Sequence, residues 1–268
     1  MDLTANAVLR RGVDTKTVER WHCRGMPTSP DHLRTACVFV PGLGLGAEAW
    51  QPTLNALRAR GYAGSTLVVV LLPGFGTEAG READLRPTSL ASLLLDELRP
   101  STAGVVLVGH SASCQIVARA AVLAPDIVRG LVLVGPTTDP RAASWPRLAA
   151  RWLATAVYES PRQLPSLVRQ YRRTGPATMG RAMDAARHDR IDVSLRDVSV
   201  PVRIVRGAHD RIAPTDWVNL LVDCVPAEGS VRSTVSLPEG GHMVPLTRGA
   251  LVAGQVAAFV EHLGTDGG

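Results

Sequence analysis

Lysine is almost missing from this 268-residue chain: of its 29 basic residues only Lys16 is not an arginine. The formal net charge of +5 therefore reflects a chain written in arginine, with acidic residues interspersed, and not a polybasic tract. Aromatic residues make up 4% of the chain, with three Phe and three Tyr. That is too few for base-stacking platforms, no nucleic-acid module is recognisable, and a nucleic-acid partner is not expected. Cysteine is scarce as well. Cys23, Cys37, Cys114 and Cys224 are widely spaced and form no C-x-x-C pair, which argues against a zinc ribbon or a thioredoxin-type site and for reduced thiols. No apolar run approaches the ~20 residues that span a bilayer. Residues 1–11 place the pair Arg10-Arg11 after the apolar residues and lack a continuous hydrophobic region, unlike a signal peptide. A cytoplasmic protein with no membrane partner is the expectation.

What the chain does have is 46% hydrophobic residues, enough at this length to bury a large core in one domain. From residue 36 onward, short β-prone runs alternate with helical ones. Strands are predicted at 36–40, 65–72, 105–108, 130–135, 201–207 and 230–237. Helices are predicted from the glycine-rich turn to about residue 60, then near 89–98, 115–121, 216–225 and 248–263. In the second of these Leu90, Leu93, Leu94 and Leu98 share one face. The alternation implies an α/β fold, a mostly parallel central sheet with helices on both faces. Residues 13–23 alternate loosely as one or two strands, and 26–30 contain two prolines and read as a turn.

The alternation stops at Pro136. Residues 137–197 are strand-poor, with helical stretches at 141–157, 161–173 and 177–187 separated by Pro and Gly. They read as a helical cap inserted into a core domain made of 1–136 and 198–268, over the carboxyl ends of the strands, where open α/β sheets bind ligands. Residues 137–200 hold eleven arginines against six acidic residues, which is the whole net excess. A solvated helix face is the simpler account of this, and attraction of an anionic substrate the alternative. Trp145, Leu148, Trp152, Leu153, Tyr158, Leu164, Leu167, Val168 and Tyr171 form an apolar face whose spacing suits burial against the sheet. Trp145, Trp152 and Tyr158 are also candidates to line a substrate pocket, with Leu45, Trp50 and His110.

The stretch that organises the chain is Val-Val-Leu-Val-Gly-His-Ser-Ala-Ser-Cys at 105–114. A strand, a small residue, a serine, another small residue and a helix describe a sharp bend that exposes one hydroxyl. Gly109 and Ser113 flank Ser111, so the pattern is G-x-S-x-S where G-x-S-x-G is usual. A serine hydroxyl needs an imidazole to take its proton and a carboxylate to orient that imidazole. His242 stands in the glycine-flanked loop 240–242 after the last strand. His110 is adjacent to Ser111 but points elsewhere at a bend, and His209 directly precedes Asp210, the better-placed carboxylate at a strand's carboxyl end. Gly42, Gly44 and Ala47 match G-x-G-x-x-G/A, which suits a dinucleotide pyrophosphate or the exposed N–H groups of an oxyanion hole. The following strand ends Leu-Leu-Pro without the acid a ribose would need.

Five motifs in order, Val-Pro-Gly-Leu-Gly (40–44), Leu-Leu-Pro-Gly-Phe-Gly (71–76), Gly-His-Ser-Ala-Ser (109–113), Arg-Gly-Ala-His-Asp-Arg-Ile-Ala-Pro (206–214) and Gly-Gly-His (240–242), resemble those of the capped α/β-hydrolases over residues 36–263. The resemblance implies Ser111 as nucleophile, Asp210 as acid, His242 as base, and the N–H groups of Leu43 and Ala112 as oxyanion hole. Asp139 occupies the position at which some members carry the acid instead. Pro41-Gly42 stands where His-Gly is common. The implied activity is that of a serine hydrolase acting on a small-molecule substrate, a small or medium apolar carboxylic ester or lactone, with no metal or organic cofactor. Thioester and carbon–carbon hydrolysis share the machinery, and a non-hydrolytic receptor or a cyclase-like catalyst is the alternative from another class.

Overall fold

The computed structural model describes residues 35–98, 104–227 and 232–265. The strands and turn expected before residue 31, and Cys23 with them, lie outside the described residues.

Six strands form one sheet in the order β2-β1-β5-β6-β7-β8, with every pairing parallel. They are β1 (Ala36–Val40), β2 (Leu67–Val69), β5 (Val105–His110), β6 (Val128–Val134), β7 (Val202–Gly207) and β8 (Arg232–Leu237). Between them run α1 (Gln51–Ala59), α2 (Pro87–Leu98), α3 (Ser113–Leu123), α4 (Trp145–Ala156), α5 (Leu164–Thr174), α6 (Pro176–His188), α7 (Ile191–Ser194) and α8 (Thr215–Cys224). The short α9 (Val244–Thr247) and the long α10 (Gly249–Thr265) follow the sheet. Among the described residues no helix is long and apolar enough to cross a membrane.

Successive strand residues point to opposite faces, and the apolar runs split accordingly. Val38, Val40, Leu107, Leu131, Leu133 and Ile204 pack with Leu90 and Leu94 of α2, Ile116 and Val117 of α3, and Trp217 of α8. Cys37, Phe39, Val106, Val108, Val132 and Val205 pack with Leu54 and Leu57 of α1 and with Val252, Val256 and Phe259 of α10. The central strands are hydrophobic without interruption because both their faces are covered. At the sheet's edge β8 alternates exposed and half-buried residues. Cys37 and Cys114 are buried and Cys224 half-buried, all as free thiols; burial pushes the Cys37 thiol up to about 12.

Two expectations are adjusted. The strand predicted over 65–72 pairs only through Leu67–Val69, with Val70 N–H still donating to the Phe39 carbonyl. Beyond it Pro73 and Gly74, the latter at φ +85°, turn the chain so that Leu72–Pro73 (β3) pairs with Gly76–Thr77 (β4). The apolar face of residues 145–171 is buried only in part. Leu167 is covered, whereas Leu153 is 71% exposed and Leu164 and Val168 more than half exposed. Ala182, Ala186, Ile191, Leu195 and Val198 belong to the core beside α3, which anchors the later helices of the insertion to the sheet.

Candidate active site

The bend after β5 carries an unusual backbone conformation. Ser111 has φ 59°, the one positive value among the described residues outside glycine, and such a conformation costs energy in any L-residue. It is held by hydrogen bonds from Ser111 N–H to the Val134 carbonyl at 2.9 Å and from Cys114 N–H to the Ser111 carbonyl at 3.1 Å. Gly109 is needed for the approach of strand to helix, since a Cβ there would lie 2.8 Å from Val117 Cγ2 and 3.0 Å from Cys114 Cα. At the other flank Ser113 is fully buried. Its Oγ accepts the His110 N–H at 2.8 Å and lies 2.8 Å from the Val40 carbonyl, to which it can donate.

The glycine turn after β1 lies against this bend. A Cβ on Gly42 would sit 3.3 Å from Ser111 Cβ and 2.9 Å from His110 Nδ1. The turn is pinned on its far side by α5. Gln170 Oε1 accepts the Gly46 N–H at 2.8 Å and Thr174 Oγ1 donates to the Gly44 carbonyl at 3.1 Å. Among the described residues neither Leu43 N–H nor Ala112 N–H donates to a protein acceptor. Ala112 N–H stands at the start of α3, where the helix dipole favours negative charge.

Asp210 and His242 reach the same end of the sheet from the loops after β7 and β8. His242 Nδ1 donates to Asp210 Oδ2 at 2.8 Å, which leaves Nε2 with the lone pair. The other carboxylate oxygen accepts the N–H groups of Ile212 and Ala213, both at 2.9 Å. The Arg206 guanidinium ties the Asp210 loop together through the carbonyls of Asp210 and Ala213, again at 2.9 Å. The His209 N–H donates to the Gly240 carbonyl at 3.0 Å and links the two loops. Gly135, at φ +56°, makes room for the pair, because a Cβ there would come within 3.0 Å of Asp210 Oδ2 and 3.1 Å of the His242 ring.

Burial disfavours the charged form of Asp210, but the charge of His242 and the hydrogen bonds outweigh it and hold the carboxyl below its ordinary range. Burial likewise opposes the imidazolium of His242. The charge and hydrogen bond of Asp210, with a contribution from the Glu159 carboxylate, reverse the sign and raise its pKa above the ordinary value of 6.5.

Ser111 and His242 line one cavity of about 240 Å³. Trp145, Leu148, Trp152, Met183 and Ile212 supply its apolar wall, and Thr137, Thr138, Asp139 and Arg151 its polar one. A larger cleft of about 470 Å³ beside Asp84, Arg181 and His188 contains none of Ser111, Asp210 or His242. Among the described residues no group of three or more His, Cys, Asp or Glu side chains is arranged to hold a metal ion.

Of the pocket candidates read from the sequence, Trp145 and Trp152 are at the cavity. Trp50 is fully buried against Phe39, 5.1 Å between ring centroids. Leu45 packs with Ala49, Leu167 and Met243, and Tyr158 stacks on His209 at 4.4 Å. None of these three lines the cavity. His110 lies behind it, its Nε2 donating to the His242 carbonyl at 3.0 Å. Burial and the neighbouring His242 push the His110 pKa down to about 3, so the ring is a neutral support. Asp139 faces the cavity with its carboxylate engaged by Arg141 at 2.8 Å and Arg151 at 2.7 Å, while His242 Nδ1 donates to Asp210.

Thr137, Thr138, Met183, Ile212 and Glu159, which accepts the Met243 N–H at 2.8 Å, carry no local signal in the sequence. Leu148 and Trp152, three and seven residues after Trp145, share its helix face, and that spacing was the legible part of the wall.

A family model, Alpha/beta hydrolase family, matches residues 37–255. No curated protein sequence gave a significant match. Among solved structures, a hydrolase from Oleispira antarctica is 16% identical, with a TM-score of 0.70 over 85% of this chain and 91% of that one. E-2-(acetamidomethylene)succinate hydrolase is 20% identical, with a TM-score of 0.66 over 85% and 91%. A lipase-esterase related protein from Clostridium acetobutylicum ATCC 824 is 14% identical, with a TM-score of 0.66 over 84% and 94%.

Proposed function

This chain belongs to the alpha/beta hydrolase family, and we propose that it is a serine hydrolase that cleaves a small or medium apolar carboxylic ester or lactone through an acyl-enzyme on Ser111. The observation that carries the reading is the buried His242–Asp210 hydrogen bond of 2.8 Å, made by a histidine that shares a cavity wall with Ser111.

In this mechanism the Ser111 hydroxyl attacks the carbonyl carbon while His242 Nε2 takes its proton, with Asp210 fixing the tautomer and stabilising the imidazolium. The C=O electron pair moves onto oxygen, and the oxyanion is met by the N–H groups of Leu43 and Ala112, which are preorganised where charge develops. Collapse expels the alcohol, which takes the proton from His242. Water, deprotonated by His242, then attacks the acyl carbon, and as the bond to Ser111 Oγ breaks the proton passes from His242 to that oxygen, releasing the acid and restoring the hydroxyl. Residues 137–197 act as a cap whose α4 wall, with Trp145, Leu148 and Trp152, selects the acyl or alcohol group by apolar contact. The neighbours include E-2-(acetamidomethylene)succinate hydrolase and a lipase-esterase related protein, and fold alone does not choose among substrates.

A fluorophosphonate probe followed by peptide mapping, with p-nitrophenyl ester turnover, tests the reading. Labelling confined to Ser111, and turnover that vanishes in Ser111→Ala, is the expected result. A folded protein that takes no label at Ser111 overturns it, and labelling without turnover of any ester, lactone or thioester in a panel favours a binding role.

A further inference from the structure

The insertion reaches back onto both loops that carry Asp210 and His242. Thr155, in the last turn of α4, accepts the Arg211 N–H at 3.1 Å through its hydroxyl, which in turn donates to the Arg151 carbonyl at 2.9 Å. Tyr158 lies flat on His209, with 10° between the ring planes. Glu159 Oε1 accepts the Met243 N–H at 2.8 Å, one residue beyond His242, and its other oxygen accepts from Gln163 Nε2 at 3.0 Å. Gly241 is closed against the same two side chains: a Cβ there would run into the Glu159 carboxylate and lie 3.3 Å from Thr155 Cγ2. Three residues within five positions thus grip the residue before Asp210, the residue after it and the residue after His242.

We propose that Glu159, assisted by Thr155 and Tyr158, is a positioning residue: it seats the His242 loop through the Met243 N–H and makes the competence of the base depend on the seating of α4. The proposal rests on the reading of His242 as the base. The same α4 presents Trp145, Leu148 and Trp152 to the cavity, so a substrate that displaces this helix also pulls on the acid and base loops. An insertion that lifted off as a rigid lid would give up the acceptors of the Met243 and Arg211 N–H groups and release both loops from α4. Opening at the Trp145 end, pivoting near Thr155–Glu159, keeps both bonds.

The charged and titratable groups around His242 are few. Asp210 and, behind it, Arg206 come from the β7 side, together with His209. His110 comes from β5, its ring centroid 5.0 Å away. The ion pair of Asp139 with Arg151 lies across the cavity, and Glu159 comes from the insertion. Glu159 is the second carboxylate whose charge favours the imidazolium. Glu159→Gln keeps an acceptor for Met243 and removes the charge, whereas Glu159→Ala removes both.

The experiment is an NMR titration of the His242 ring in the full chain, assigned with His242→Asn, alongside the pH profile of fluorophosphonate labelling. In Glu159→Gln the His242 titration and the acid limb of labelling move to lower pH, and the plateau rate falls much less than in Glu159→Ala. In Glu159→Ala the plateau falls by about tenfold to a hundredfold, the usual penalty of a misplaced catalytic group. A Glu159→Ala plateau equal to that of the wild type overturns the proposal, and so does a plateau lost equally in both variants with the His242 titration unmoved, which would mark a merely structural role. Absence of labelling in the wild-type protein overturns the hydrolase reading instead, and the NMR titration still decides the role of Glu159.

Discussion

Ser113 Oγ stands 2.8 Å from the Val40 carbonyl, so a buried hydroxyl ties the bend after β5 to the end of β1, the strand that leads into the glycine turn. The usual pattern has glycine there, and the departure has a physical use: the same oxygen accepts the His110 N–H. Ser113→Ala leaves that buried donor without its acceptor and is expected to destabilise the protein by about 1–3 kcal/mol, measured from denaturant midpoints. Ser113→Gly restores the family pattern and loses the same bonds, so it gives no recovery. An unchanged midpoint in both would remove the hydroxyl from the account.

The conformation of Ser111 makes a second expectation. At φ 59° the left-handed region costs a residue with a Cβ about 1–2 kcal/mol more than glycine. Ser111→Gly is therefore expected to abolish turnover while raising stability by about 1 kcal/mol, whereas Ser111→Ala abolishes turnover without that gain. Thermal or denaturant unfolding of the two variants side by side reads the difference, and equal stabilities would show that the strain is relieved elsewhere.

Asp210 and Asp139 can be separated by kinetics. Asn in place of Asp210 loses the charge that holds the imidazole's tautomer, and kcat/KM is expected to fall by about 10³–10⁴. Asp139→Asn weakens the contacts to Arg141 and Arg151 and is expected to retain most of the activity, with its effect on stability. The reverse ranking would transfer the acid's role to Asp139.

The pH dependence follows from the direction of the His242 shift. In the proposed mechanism His242 acts unprotonated, and the burial of its ring is outweighed by the Asp210 carboxylate, which raises its pKa above 6.5. Activity is then expected to rise with pH through an acid limb above the ordinary histidine value, and to be lost as His242 takes its proton on the way down. A profile of kcat/KM, which reports the free enzyme, checks this. A limb below 6.5 contradicts the assignment.

Much of the architecture was legible because it depends on local periodicity. The runs expected at 36–40, 105–108 and 130–135 are apolar on both faces, a pattern that suits a strand covered from two sides, and they fall within β1, β5 and β6 but for the last residue, Gly135. The edge strand near 65–72 was overdrawn because Pro73 and Gly74 turn the chain earlier than its hydrophobic run ends. Ser111, Asp210 and His242 could be offered as candidates because each is attached to a short motif at a strand end.

The sequence by itself determined the parallel sheet and the order of its strands along the chain, and it offered Ser111, Asp210 and His242 as candidates with Asp139 as a second carboxylate, since each of these readings rests on residues adjacent in the chain. The tertiary structure alone decided that Asp210, and not Asp139, meets His242, that Trp50 and Leu45 are core while Trp145 and Trp152 face the cavity, and that Glu159 reaches Met243. These are contacts between residues 32 to 84 positions apart, or choices between faces of one helix. They depend on how layers pack, a property that no local pattern carries.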